Sequence, residues 1–501
     1  MGCLGALFKK NSEFAPAYAP PTAEVKRDVC EPKQVPASVP KEVEHFEPCG
    51  CSDLSSAFAR MSAGDADLPA YEEFSEFKDD AVSQVSYTHH CCELKTNEQV
   101  RETIRKTIDS YASKLTEISL YISDHPEESY EEHKACAKLT AFLKDEGFDV
   151  ETPYKKLDTA FRASYSHGSG RTFAFCSEYD ALPGVGHACG HNLIAVSGVA
   201  ALLGLRAAMK KHDIKGTVEL LGTPAEEGGV GKGVLIERGA FKSIDASMMI
   251  HPTGLMGGRY GVGGIVPTLA ICGLNVDFIG RAAHAGMAPW DGINALDAAH
   301  IAYASVSALR QQLHPDVRVH GIITKGGDRP NIVPAHTRME YYVRAPAAAS
   351  VKDLTAKLTT LFEAAGKATG CKVQTEVTPM MYELRNNGPL SNHYASVMKD
   401  AGHPVLVALD DFTGAGASTD FGNVTYTVPA AHPHFSIPAT EGKANHTPEF
   451  TERCRSPKAH ELTYEFAGGM AVTAARFLTD DEFAKEAKKC WEKDMERVGK
   501  P

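Results

Sequence analysis

At 501 residues the chain is too long for one ordinary core and long enough for two or three domains. Its 43% hydrophobic and 23% charged residues suit a soluble globular protein, and a net charge of −12 with no basic stripe argues against a nucleic-acid partner. Thirteen cysteines are too dilute, and odd in number, for a disulfide scaffold; with no signal-peptide pattern at the start, the expectation is a cytoplasmic protein with reduced thiols.

Residues 1–95 read as a disordered tail, because stretches such as EPKQVPASVPKEVEHFEP are rich in proline and charge and poor in periodic apolar residues. The opening MGCLGALFKK offers Gly2 and Cys3 to acyl chains and Lys9 and Lys10 to anionic lipid, which would add a membrane surface to the partners. Against this, Ala6 stands where the acylation pattern has Ser or Thr. The CGC at 49–51 and the HHCCE at 89–93 carry metal-type side chains without a fixed ligand spacing.

Helical periodicity begins near Glu98 and puts Ile104, Ile108, Tyr111 and Leu115 on one face, up to a break at Pro126. A second amphipathic helix follows and stops at Gly147. Strands are expected at 161–166, 172–178, 217–223 and 246–251, and helices at 193–210 and 231–238. The apolar run LIAVSGVAALLGL (193–205) is shorter than the ~20 residues that cross a bilayer and reads as a buried helix. Strands alternating with helices predict an α/β layer with a mixed, mostly parallel sheet.

The pattern then changes. A strand at 267–280, a helix at 292–312, strands at 316–325 and 337–344, a helix at 350–367 and a strand at 371–379 give the order βαββαβ, a ferredoxin-like arrangement. The α/β pattern resumes with a helix at 390–401, strands at 404–408 and 424–437, and a helix at 456–477. The expected organisation is a tail over 1–95, a catalytic domain in two parts over 96–264 and 381–495, and a satellite inserted between them over 265–380.

Four stretches could carry chemistry. HACGHN places Cys189 and His191 two residues apart, flanked by glycines, just past a strand. They could be packing residues on a turn or two metal ligands. In LLGTPAEEGG, Glu226 and Glu227 are adjacent at a strand end; in extended chain they would point to opposite sides, so that one could bind a metal and the other stay free beside a water. His251 ends the apolar MMIH, where a histidine is more often a satisfied core residue than a ligand, and His446 lies in the loop ANHTPEF. Taken together the picture sharpens. Ligands of α/β sheets gather beyond the carboxyl ends of the strands, where Cys189, His191, Glu227 and His251 fall. With His446 these make five ligands of zinc type, too many for one catalytic zinc with an open position, and they suit two metals about 3.5–4 Å apart that share a water, with or without one shared protein ligand.

The stretches EYDALPGVGHACGHNLIA (178–195), LGTPAEEGG (221–229), GLNVDFIGRAAHAGMAPWDGINALDAA (273–299), VHGIITKGGDRPNIVPA (319–335), YYVRAP (341–346), STDFGNVTYTVP (418–429) and NHTPEF (445–450) resemble the co-catalytic di-zinc aminoacylase/carboxypeptidase family, in its amidohydrolase branch. The resemblance spans about 98–490 and leaves the tail outside. It implies a zinc-peptidase catalytic domain with an inserted dimerisation or lid domain, and two divalent metal ions, zinc with manganese as the alternative. It implies Cys189, His191, Glu227, His251 and His446 as metal ligands, with Cys189 where other branches have a bridging aspartate. It implies Glu226 as general base, Asp180 as an orienting carboxylate, His284 as an oxyanion donor reaching from a partner subunit of a homodimer, and Asn331 and Arg344 as substrate holders. Glu178 stands where other branches have a ligand histidine, so it falls outside the expected set and His191 covers that place; His187 and Asn192 are given no role. The implied reaction is amide hydrolysis of small substrates, dipeptides with a basic C-terminal residue of the β-alanyl-lysine type. The rival readings are an N-acyl-amino-acid amidohydrolase and a non-catalytic metal-bearing scaffold at a membrane.

Overall fold

The structure, a computed structural model, describes residues 94–412 and 416–499. The expectations for the Pro-rich tail, Gly2, Cys3 and the Cys/His pairs at 49–51 and 89–93 lie outside the described residues.

The main sheet has six strands in the order Asp149–Glu151, Phe161–His167, Gly216–Gly222, Thr172–Ser177, Ala246–Met248 and Ala430–Ala431. Three pairings, around Thr172–Ser177 and Ala246–Met248, are parallel and the other two antiparallel. The sheet is thus mixed and mostly parallel. On one face lie the long helices Leu94–Asp124, His191–His212 and Pro457–Thr479, which pack on one another through Ile104, Ile108, Leu115, Leu202, Leu205 and Phe466. Among the described residues His191–His212 is the one helix long and apolar enough to cross a membrane, yet it is almost wholly buried here. Its glycines explain how close it sits: a Cβ on Gly198 would come within 2.3 Å of Ser177 Oγ on the central strand. The opposite face is covered by Leu235, Phe241, Phe421 and Val424.

The run 270–377 forms the βαββαβ unit. Its four-stranded antiparallel sheet has the order Lys372–Val377, Ala270–Ile279, His336–Ala345, Arg318–Lys325. The helices Ala295–Leu309 and Ala348–Thr369 cover one face and enclose a core of their own, with Leu274, Phe278, Met339, Val343, Leu358 and Phe362 at its centre. Alternation along His336–Ala345 explains the one-sided burial: Thr337, Met339, Tyr341, Val343 and Ala345 point inward and Glu340 and Tyr342 outward. The architecture is therefore an α/β catalytic framework with a ferredoxin-like satellite inserted into it.

Three local expectations are corrected. The strand expected over 246–251 ends at Met248, and His251 begins a separate strand, His251–Thr253, in a small third sheet. The strand expected over 424–437 is a short helix, Phe421–Thr425, followed by the strands Ala430–Ala431 and His434–Ser436 in two different sheets. Pro429 and Pro433 break the run, and their carbonyls accept from Ser247 N (3.0 Å) and His251 N (3.0 Å) while the chain crosses between sheets. Glu226 and Glu227 lie in a single helical turn, Glu226–Gly229, and not in extended chain. A C-terminal helix, Asp481–Val498, capped by the Asp480 side chain, has no counterpart among the expected elements.

Candidate metal centre

The parallel strands end side by side, and the segments just beyond their ends converge. Thr172–Ser177 leads to Glu178 and Asp180, Gly216–Gly222 to Glu226 and Glu227, and Ala246–Met248 to His251. His191 opens the buried helix behind them. His446, held at φ 67°, donates its backbone N–H to Ala188 O (2.8 Å) and so approaches from the far segment.

Ligand atoms of Cys189, His191 and His251 lie within 4.8 Å of one another, and so do those of Cys189, Glu227 and His446. The two triads share the Cys189 sulfur. All five residues expected as ligands meet in one place. Neighbours fix the tautomers. His191 Nδ1 faces Asp180 O (2.9 Å) and Oδ1 (3.0 Å), and His251 Nδ1 faces Pro252 O (2.7 Å), so both rings put their protons there and turn the Nε2 lone pair toward the cluster. Asp180 also accepts from Glu227 N (2.9 Å), tying the histidine to the second ligand-bearing turn. Burial alone would raise the Asp180 pKa; the His191 ring and the Glu227 N–H outweigh it and hold it below the usual range. Asn445 braces the far side, donating to Cys189 O (3.3 Å) and Pro252 O (3.1 Å).

The donor set suits cations. His191 Nε2 and Glu227 Oε1 are buried without a hydrogen-bond partner, a costly state that a divalent ion would relieve. Burial, then the carboxylates of Glu178 and Glu227, push Glu226 well above the usual carboxylate value, the mark of a site short of positive charge. Thiolate, imidazole and carboxylate donors are those of zinc and its neighbours.

The turn carrying Glu226 and Glu227 is tightly constrained. Ala225 and Val230 on either side hold φ values of 61° and 52°, strained for residues with a Cβ by about 1–3 kcal/mol each. A Cβ on Gly231 would lie 1.8 Å from Pro224 O, so only glycine fits there. Between Cys189 and His191, Gly190 has φ 83°, and its Cβ would meet Pro252 Cγ at 2.5 Å.

Glu132 supports the same turn, accepting from Ala225 N (2.8 Å) and Tyr130 N (3.0 Å). Burial raises its pKa from 4.5 to about 7. A raised folded value means that the stability it contributes is present below about pH 4.5 and lost as pH climbs through about 7, by up to about 3 kcal/mol. Glu132→Gln keeps the acceptor and cannot ionise. Its stability relative to the parent should therefore rise between pH 5 and pH 8 in urea unfolding; a constant difference would refute the assignment.

The satellite residues lie apart from the cluster. His284 and Asn331 sit together on its exposed surface, where Ala285 N donates to Asn331 O (3.0 Å). Among the described residues neither makes a hydrogen bond or ion pair with the five ligands. Arg344 reaches the second catalytic segment, donating to Ser418 Oγ (3.2 Å) and Gly416 O (3.3 Å), and lines a cavity of about 1000 Å³ with Arg318, His320, Asp316 and Asp410. Asn192, to which the sequence assigns no role, braces the buried helix by donating to Ser119 Oγ (2.9 Å). Sequence reasoning missed Lys232, Asp420, Glu132 and Asn445. Asp420 and Asn445 fall inside the stretches STDFGNVTYTVP and NHTPEF, and Lys232 stands alone among glycines and apolar residues in GVGKGVLI.

A two-cation hydrolytic centre at the mouth of an α/β sheet is the class that this fold and site define. The family model for peptidase family M20/M25/M40 matches residues 172–464, and the chain belongs to that family of metallopeptidases. The chain is 42% identical to the Xaa-Arg dipeptidase of Mus musculus, over 75% of this chain and 88% of that protein. It is 40% identical to the Xaa-Arg dipeptidase of Homo sapiens, over 73% and 86%. Among solved structures the fold is shared with an aminobenzoyl-glutamate utilization protein from Klebsiella pneumoniae (TM-score 0.60, 18% identity, 75% of this chain and 98% of that one). It is also shared with a dinuclear metal-binding M20 peptidase of Bacillus subtilis (TM-score 0.52, 18% identity, 74% and 99%).

Proposed function

We propose that the protein is a cytoplasmic dipeptidase that hydrolyses small dipeptides with a basic C-terminal residue, using two divalent cations, zinc ions with manganese as the alternative. The observation that carries the chemistry is the pair of triads sharing the Cys189 sulfur, with Glu226 beside them. The two Xaa-Arg dipeptidases, alike over most of their length, support the substrate class.

Cys189, His191 and His251 would hold one cation, and Cys189, Glu227 and His446 the other. When bound, the cations would supply polarisation of the scissile carbonyl and a water acidic enough to attack near neutral pH. Every other part of the reaction falls to the chain's own groups. Glu226 takes the proton of the attacking water and returns it to the departing amine. Asp180 holds the His191 ring in place. Arg344, with two prongs, fits the carboxylate of a dipeptide, and Asn331 offers an amide to the substrate carbonyl. His284 is set as a donor: its Nδ1 accepts from Gly286 N (3.2 Å) and Met287 N (3.1 Å), which leaves the ring proton on Nε2. Such a donor aimed at the developing oxyanion contributes on the order of 3–4 kcal/mol. Exposed on the satellite and unconnected to its own chain's cluster, His284 supports a homodimer in which it serves the partner's site. Acylation at Gly2 and Cys3 would bring the chain to a membrane surface.

The test is a side-by-side assay of purified protein on Xaa-Lys and Xaa-Arg dipeptides, including β-alanyl-lysine, and on a panel of N-acyl amino acids. Preference by at least tenfold in kcat/KM for the basic dipeptides is the expected result. Preference for the acyl amides would replace this reading with the aminoacylase one.

A further inference from the structure

Lys232 is fully buried, yet no step of the proposed reaction uses it. Its ammonium donates to Glu178 Oε1 and to Asp420 Oδ1 (2.6 Å), and its backbone N–H donates to Asp420 Oδ2 (2.9 Å), so one residue clamps both oxygens of Asp420. Glu178 and Asp420 are themselves fully buried. Carboxylate oxygens of Glu178, Asp420 and Glu226 lie within 4.8 Å of one another, a group that on its own could hold a cation. Three carboxylates so close, away from water, demand positive charge among them. Lys232 supplies one, covalently tethered and unable to exchange.

The arrangement differs from a structural ion pair in what it leaves facing the cluster. With Oε1 committed to the ammonium, the second oxygen of Glu178 has no partner and stands 3.5 Å from His191 Nε2, the atom that also lies 3.9 Å from carboxylate oxygens of both Glu226 and Glu227. Oε2 thus stands at the edge of the cluster while Lys232 holds Oε1 on the side of Asp420; released from Lys232, Glu178 could turn both oxygens toward the cations.

We propose that Lys232 is a positioning residue of the metal centre: it acts as a fixed internal cation that ties Glu178 to Asp420, holds Glu178 back from coordination, and so keeps the centre to its five ligands with Glu226 free. The inference rests on the two-cation reading and goes beyond it by giving a role to a residue that touches neither cations nor substrate.

The experiment is Co²⁺ titration of the cation-free full chain, followed by metal analysis and by the visible d–d band, whose intensity falls as coordination number rises. The parent is expected to take up two Co²⁺. Lys232→Met, folded by circular dichroism, is expected to take up more than two, or to show a weakened band, with kcat lowered at least tenfold and KM changed less than threefold. Lys232→Met/Glu178→Gln is expected to return the band toward that of the parent. Parent-like stoichiometry and band in folded Lys232→Met would overturn the inference, even if activity fell. Should Lys232→Met not fold, Glu178→Gln alone decides: an unchanged Co²⁺ content and band is expected, and loss of Co²⁺ would mark Glu178 as a ligand and overturn the inference. A parent that takes up no Co²⁺ would sink the two-cation reading itself and this inference with it.

Discussion

Glu226→Gln is expected to lower kcat by at least about 10³-fold while the purified protein retains its cations. Glutamine keeps the volume and the hydrogen-bonding oxygen but cannot take a proton. Glu226 is buried in the turn with φ-strained neighbours, so the substitution leaves the shape of the turn intact. Glu226 groups with His191 and Glu227 but, unlike Glu227, shares no triad with Cys189, so in the proposed assignment metal content should persist. Metal analysis beside steady-state kinetics checks both halves; loss of cations together with activity would show a ligand and not a base. The same variant tests the subunit arrangement. Mixed in equal amounts with His284→Ala, itself expected to be impaired, it would form, in the proposed homodimer, heterodimers in which one site regains both intact groups. Activity on the order of a quarter of the parent's should return if His284 serves the partner's site. No recovery under conditions of proven subunit exchange would confine His284 to its own chain.

Removing the cations should have the other large effect. Chelation is expected to bring turnover to background, with recovery on re-addition of the correct ion; comparing zinc with manganese identifies it. Because ions bound only by the folded chain stabilise it, each is worth about 4 kcal/mol when present at a thousandfold above its Kd, and thermal unfolding should fall by several degrees on stripping. The geometry makes a finer prediction. His251 belongs to one triad and His446 to the other. His251→Ala and His446→Ala should therefore each lose about one cation per chain, whereas Cys189→Ala, at the shared sulfur, should lose both. Equal losses in all three would argue against two separate positions.

Much of this is legible in the sequence because it rests on local signals. The βαββαβ unit announces itself by period and spacing, and the apolar run before His251 and the glycines around Cys189 and His191 mark where the candidate ligands stand. The part that cannot be read is tertiary. Lys232, Glu178 and Asp420 come from three separate segments, and a lysine in a glycine-rich stretch gives no sign that two distant carboxylates await it. Strands of two or three residues, such as Ala430–Ala431 and Gly263–Ile265, are too short to show a period. The Glu226–Glu227 pair reads as extended chain because strand character precedes it; the left-handed Ala225 turns the backbone into a helical turn at once, a conformation that no side-chain pattern advertises.

That cramped turn has an evolutionary corollary. A bulkier residue at Gly231 would collide with Pro224 O, and an insertion between Ala225 and Val230 would move Glu226 and Glu227 together. The cavity wall that Arg344 and Asp410 share lies apart from this turn, so substitutions there leave the turn's geometry untouched.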